Sequence, residues 1–373
     1  MSRRSFLRAA GGIAAAAALG QACRFAGIAA STEGVPPTPF QTGFPSALEV
    51  NPAATSTAVP ASPVPTPESL VGRVALIRTA DRAEGTRRAV DLLGINPVAN
   101  KSVFIKPNFN SAHPAPGSTH DDILRTLLAQ LREMGASRLT IGDRSGMGDT
   151  RWVMQTKGVF DLVDEFSMEA IVFDDLSAEE WLEPAAPEGS HWRRGFRVAR
   201  PVLEADVVVQ TCNLKTHRFG GHFTLSLKNS VGLVAKSVPG EGYNYMTELH
   251  DSADQRRMIA EVNAAYAPAL VVLDGVEAFV NGGPDVGKKV EAGVILAGAD
   301  RVAIDAVAVA ILRDLGTTAN VRRGPVFLQE QIARAVELGL GASGPEAITI
   351  LTEGTEAQAY SDRLMGILSG PGE

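Results

Sequence analysis

The chain has 373 residues, 45% of them hydrophobic and 21% charged, with a net charge of −7 and two cysteines. This is enough apolar material for one large or two ordinary domains and too ordinary a composition for a disordered protein, while the acidic balance argues against a nucleic-acid partner. Two cysteines cannot build a disulfide scaffold, a four-cysteine zinc site or an iron–sulfur cluster held by thiolates alone, so chemistry falls to Asp, Lys, His, Asn and Ser.

Residues 1–30 carry Arg3, Arg4, Arg8 and Arg24 and no acid, with an apolar run from Gly11 to Leu19 that is too short to span a bilayer. The opening Ser2-Arg3-Arg4-Ser5-Phe6-Leu7-Arg8 reads as a twin-arginine export signal. It makes the twin-arginine translocation machinery an expected partner and places the mature protein in the periplasm or on the outer face of the membrane. Two processing routes stay open: cleavage after Ala30, or lipidation of Cys23, the one membrane attachment that the reading offers. Residues 31–70 hold nine prolines and no Lys or Arg, the composition of an extended spacer rather than a packed core.

From Val71 the pattern becomes alternating strand and helix. Arg73–Thr79, Ser102–Ile105, Arg138–Ile141, Ala170–Phe173, Asp206–Gln210, Leu270–Leu273 and Val294–Ala297 read as strands. Helices are expected over Glu84–Leu93, from Ser118 as N-cap to Gly135, over Ala253–Tyr266 and Arg301–Leu315, and over Pro325–Leu338 with its proline in the first turn. Successive β-α-β units imply an α/β fold over residues 71–350: a mainly parallel sheet with helices on both faces. Residues 176–203 and the Gly-rich stretch 217–250 break the alternation and read as insertions forming a flap or small subdomain. Residues 351–373 read as a tail that adds little.

In open α/β sheets, ligands bind outside the carboxyl ends of the strands. Lys106-Pro107-Asn108-Phe109-Asn110 follows one predicted strand, Gly142-Asp143-Arg144-Ser145-Gly146 the next, Asn213-Leu214-Lys215-Thr216-His217 a third, and Asp274-Gly275 a fourth. Lysines at such positions fix phosphate or carboxylate oxygens, Gly-rich loops offer N–H groups, and carboxylates with histidines can hold a divalent metal. Lys215, His217 and Asp143 are therefore the candidate catalytic groups. Lys106, Asn108, Ser145, Asn213, Lys228 and Asn229 are candidate ligand contacts, and His217, His222 and Asp274 a candidate metal set. Lys228-Asn229 looks like a helix start, where a lysine is out of place unless it faces an anion. Asp305 reads as a local cap or pairing group, Cys212 as an inert core thiol, and Gly282-Gly283-Pro284 as a flexible loop.

These motifs, and above all the K-x-H of Lys215–His217 followed by Leu227-Lys228-Asn229-Ser230-Val231-Gly232, resemble the family named domain of unknown function 362, over roughly residues 73–315. The resemblance singles out Lys106, Asn108, Asp143, Lys215, His217, Lys228, Asn229 and Asp274. Many relatives carry ferredoxin-type cysteine clusters; this chain lacks one, so an electron-transfer role does not carry over. Two functional readings follow: an enzyme acting on an anionic small molecule or cofactor in the strand-end crevice, with or without a divalent metal, or a non-catalytic binding or scaffold protein at the cell surface using the same crevice.

Overall fold

The structure, a computed structural model, describes residues 70–373. The export signal, Cys23 and the spacer up to residue 69 lie outside the described residues. In chain order, β1 (Arg73–Arg78), α1 (Arg82–Leu93), β2 (Ser102–Lys106), α2 (Asp121–Glu133) and β3 (Arg138–Asp143) open the domain. Next come α3 (Thr150–Thr156), α4 (Val159–Phe166), β4 (Glu169–Val172), the two-residue β5 (Trp181–Leu182) and β6 (Val198–Ala199), α5 (Arg200–Glu204), β7 (Val207–His217) and β8 (His222–Phe223). Then follow α6 (Ser226–Asn229), α7 (Tyr245–Asp251), α8 (Gln255–Val262), β9 (Pro268–Gly282), β10 (Gly287–Gly298), α9 (Arg301–Asp314), α10 (Ala319–Arg322), α11 (Glu330–Glu337), β11 (Thr349–Thr352) and α12 (Thr355–Leu368).

The main sheet runs in the order β11-β1-β10-β9-β7-β2-β3-β4, with β8 beside β7. Every neighbouring pair along that order is parallel except those made by β10, which is antiparallel to both β1 and β9. The fold is thus α/β and mostly parallel, but β1 and β2 are not neighbours: three strands stand between them. The antiparallel strand arises because Gly282-Gly283-Pro284 is a hairpin turn rather than a flexible loop, closed by the Gly283 N–H donating to the Val286 carbonyl at 2.7 Å. A short turn of this kind can only join antiparallel strands.

Alternation along the strands divides the core. Val74, Leu76, Val271, Leu273 and Leu296 face one side with α9, α11 and α12, while Ala75, Ile77, Leu270, Val272, Ile295 and Ala297 face the other with α1 and α2. Period-two burial on both faces is what a helix-covered parallel sheet requires. Phe104 and Val208 instead join a third apolar cluster with Trp181, Trp192, Phe196, Leu233 and Ile259. The insertions therefore roof the β2–β4 half of the sheet.

Several boundaries differ from the expectation. α2 begins at Asp121 with His120 as its cap, while the Ser118 hydroxyl is buried and donates to the Ser111 carbonyl. α11 begins at Glu330; Pro325 precedes a separate single turn. The expected tail holds α12, whose Tyr360, Leu364 and Leu368 pack into the first core cluster. The largest difference is in the long strands: β7 continues through Asn213–His217 and β9 through Asp274-Gly275, so these motifs lie within strands and not after them.

Asp305 acts at a distance from its own helix. Its carboxylate accepts from the Ser226 N–H at 2.8 Å, the Ser226 hydroxyl at 2.5 Å and the Leu227 N–H at 3.1 Å. Those groups open α6, the short helix that carries Lys228 and Asn229. Burial pushes the carboxyl up to about 7. Above pH 8, where the carboxyl is ionised, Asp305→Asn replaces a charged acceptor of three buried donors with a neutral one, and urea unfolding should show a loss of about 1–2 kcal/mol.

Candidate functional site

A cavity of about 640 Å³ opens where the parallel strands end. It is lined by Lys106 at the end of β2 and Asn108 just beyond it, Asp143 at the end of β3 and Arg144 to Gly148 beyond it, His217 at the end of β7, Lys228 and Asn229 on α6, and Met246 and His250 on α7. Its volume suits a small organic ligand.

At its floor Lys106 meets Asp143 at 2.8 Å, both buried. Lys106 also donates to the Pro107 carbonyl at 2.6 Å and to Asn229 Oδ1 at 3.0 Å. Asp143 accepts from the Phe109 N–H at 2.9 Å and the Arg144 N–H at 2.7 Å. Burial pulls the lysine down and the aspartate up, and their mutual attraction opposes both shifts. The pair explains Gly232 of the LKNSVG motif, since a Cβ there would stand 2.7 Å from Asp143 Oδ1 and 2.9 Å from Lys106 Nζ.

The amides extend this network. Asn108 Nδ2 donates to Asn229 Oδ1 at 3.0 Å, Asn229 Nδ2 donates to the Thr211 carbonyl at 2.8 Å, and Asn108 Oδ1 accepts from Lys215 Nζ at 2.8 Å. Lys215 also donates to the Gly117 carbonyl at 2.6 Å and is fully buried. It lies beneath the cavity rather than in its lining, a correction to its expected catalytic place: β7 continues past Gln210 and carries it inside.

Lys228 differs from both other lysines. It lines the cavity, is half-buried, and has no hydrogen-bond partner among the described residues. Burial, followed by the charge of Arg144, brings its amine down to about 8. It occupies the end of the four-residue α6, not a helix start, so the cavity rather than a helix dipole accounts for its placement. Arg144 is buried nearby, but its guanidinium is spent on the Val234 carbonyl at 2.7 Å and the Val231 carbonyl at 3.0 Å, which fix the roof.

The two histidines of the cavity are held in opposite tautomers. His217 Nδ1 accepts from the Gly221 N–H at 3.3 Å, which leaves the proton on Nε2. His250 Nδ1 lies 2.7 Å from the Met246 carbonyl, which can only accept, so its Nε2 is left as a lone pair. Burial holds both rings below the usual histidine range, His217 the further, with Lys228 adding to the effect in each. Neither Nε2 has a partner among the described residues. Ser145 Oγ and Asn110 Nδ2, buried in the same lining, also lack partners. Unsatisfied polar atoms gathered in one cavity mark where a ligand's polar groups fit. By residue type the lining sets Lys106, Arg144, Lys228 and Lys236 against Asp143 and Asp174, a cationic excess inside an acidic protein.

The structure brings together Lys106, Asn108, Asp143, Ser145, His217, Lys228 and Asn229 of the expected set. It does not bring together the metal trio. Asp274 is bound by Arg82 at 2.8 Å and the Val276 N–H at 3.0 Å, and His222 opens on a smaller cavity of about 170 Å³ that His217 also borders. Among the described residues no group of three His, Cys, Asp or Glu side chains is placed to hold a metal ion. Asn213 lies below the lining, its Nδ2 donating to the Ser118 carbonyl at 3.4 Å. Sequence reasoning gave no role to Asn110, Arg144, Lys236 or His250; Asn110, two positions beyond Asn108 in the same segment, carried a readable signal, whereas Lys236 carried none.

Residues 103–310, which span these elements, match the family described as domain of unknown function 362. The chain belongs to that family. Its motifs are thus the cavity floor and α6, apart from Lys215 beneath and Asp274 elsewhere. A thylakoid-associated protein of Synechocystis sp. is 27% identical over 216 residues, 57% of this chain and 63% of that protein. The chain therefore matches somewhat less than two thirds of that relative's length. The lactate racemase apoprotein of Thermoanaerobacterium thermosaccharolyticum shares 16% identity over 63% of this chain and 56% of its own, with a TM-score of 0.33, too loose a superposition to bear on function.

Proposed function

We propose that this member of the family is an exported enzyme that binds a phosphate- or carboxylate-bearing small molecule in the strand-end cavity and moves a proton on it. Lys228 carries the reading: a cation facing a cavity with no protein partner among the described residues is a binding group held ready for an anion. Asn110, Ser145 and the Nε2–H of His217 supply further donors. The lone pair of His250 Nε2 is the base, and His217 Nε2–H the acid, of the proton transfer. Lys215 and Asp143 hold the floor in register. The binding calls on amine, amide and imidazole groups and requires no metal. Export rests on the twin-arginine segment, with anchoring through Cys23 as its lipidated variant.

Calorimetric titration of the full chain with inorganic phosphate and with acetate tests the binding. Lys228→Met should weaken the bound anion about tenfold to a hundredfold, the range of one charge-assisted hydrogen bond. Its melting temperature should hardly move, because Lys228 makes no internal hydrogen bond. No binding by the parent chain, or equal binding by the variant, defeats the reading. Binding without turnover of any bound compound would instead identify a receptor.

A further inference from the structure

The mouth of the cavity differs in chemistry from its floor. Phe219, Met147 and Pro284 line it, and Phe219 and Met147 are 47% and 37% exposed. Val286, on the same β9–β10 turn as Pro284, is 51% exposed. Large apolar side chains left in water beside a cavity mark a surface that something covers.

The Phe219 ring is also held in place. The Arg218 guanidinium stacks over it at 4.4 Å from the centroid, and the His217 ring meets it edge-on at 5.8 Å. Arg218 is itself fixed to the turn, donating to the Gly283 carbonyl at 3.0 Å, the Val286 carbonyl at 3.1 Å and Asp285 at 3.2 Å. An exposed aromatic ring fixed from two sides is a preformed wall, and its ordering is complete before a ligand arrives. The cavity, at about 640 Å³, is also far larger than a bare phosphate or acetate needs.

We infer that the ligand is an amphipathic anion: its phosphate or carboxylate lies inward at Lys228, and an apolar, preferably planar, body lies outward against Phe219, Met147 and Pro284. The inference rests on the anion-binding reading above and narrows its substrate class. It disfavours sugar phosphates and other polyols, whose outer hydroxyl groups would lie against the apolar side chains of the mouth and lose their water.

The test is a calorimetric series on the full chain with inorganic phosphate, glycerol 3-phosphate and phenyl phosphate, repeated with acetate and phenylacetate. Burying a phenyl ring against this wall should make phenyl phosphate bind at least tenfold tighter than glycerol 3-phosphate, or phenylacetate at least tenfold tighter than acetate. Phe219→Ser should remove most of that preference, and Met147→Ser should reduce it independently if the first variant folds poorly. Equal affinities within both series overturn the amphipathic ligand and leave the anion site standing; failure of every probe to bind overturns the anion site as well. A second copy of the chain covering the rim would appear in sedimentation as a dimer abolished by Phe219→Ser, and this too would overturn the inference.

Discussion

Lys106→Met should cost about 3–5 kcal/mol of stability, measured by urea unfolding, because it leaves the Asp143 carboxylate buried without its cation. The wild-type contact is 2.8 Å between side chains that are 1% and 2% exposed, and methionine fills most of the lysine's volume without its charge. Asp143 keeps the Phe109 and Arg144 N–H groups as donors, which limits the loss but does not neutralise the charge. Removing both charges together, as Lys106→Met with Asp143→Asn, should recover a large part of it, since the penalty belongs to the unpaired ion rather than to the absent bond. A single-variant cost below 1 kcal/mol would mean that the pair is solvated and that the floor is not a preformed unit. The pair also sets the reach of the ligand: with Lys106 engaged by Asp143, Pro107 and Asn229, the lining amines left over for an anion are the half-buried Lys228 and the exposed Lys236.

That division of labour among three lysines marks the limit of what the sequence discloses. The strand-end rule located Lys106, Asn108, Asp143 and Ser145 because β2 and β3 end one and two residues beyond their apolar runs. It misplaced Lys215 and Asp274, because β7 and β9 run on through polar residues whose side chains find partners inside the fold: Asn108 and Gly117 for Lys215, Arg82 for Asp274. No local pattern reveals such partners, which lie 107, 98 and 192 residues away. The antiparallel β10 is similarly hidden, although Gly282-Gly283-Pro284 between two β-rich runs is consistent with a hairpin as well as with a loop. His250 became a site residue only once the insertion folded back over the sheet and brought α7 to the cavity.

Lys215 should make the protein more stable as pH rises from about 7 towards 10.5, and Lys215→Met should remove that part of the slope. Burial, with the charge of Lys228 as the next cause, lowers the amine from 10.5 to about 7. Between those values the unfolded chain holds a proton that the folded chain has released, so stability increases with pH across the window and levels off above it. A shift of this size corresponds to about 5 kcal/mol across the whole window. The geometry agrees with a neutral amine, which has two N–H bonds: one donates to Asn108 Oδ1 at 2.8 Å, the other to the Gly117 carbonyl at 2.6 Å, and no carboxylate is in contact. Urea unfolding of the parent and the variant at pH 6.5, 8 and 9.5 isolates the contribution as the difference between their slopes. Parallel slopes would show Lys215 charged in the folded protein. That charge would lie directly beneath Asn108, adding to the cationic field of the cavity, whereas a neutral Lys215 leaves the attraction to the lining amines Lys228 and Lys236 and confines Lys215 to orienting the Asn108 amide.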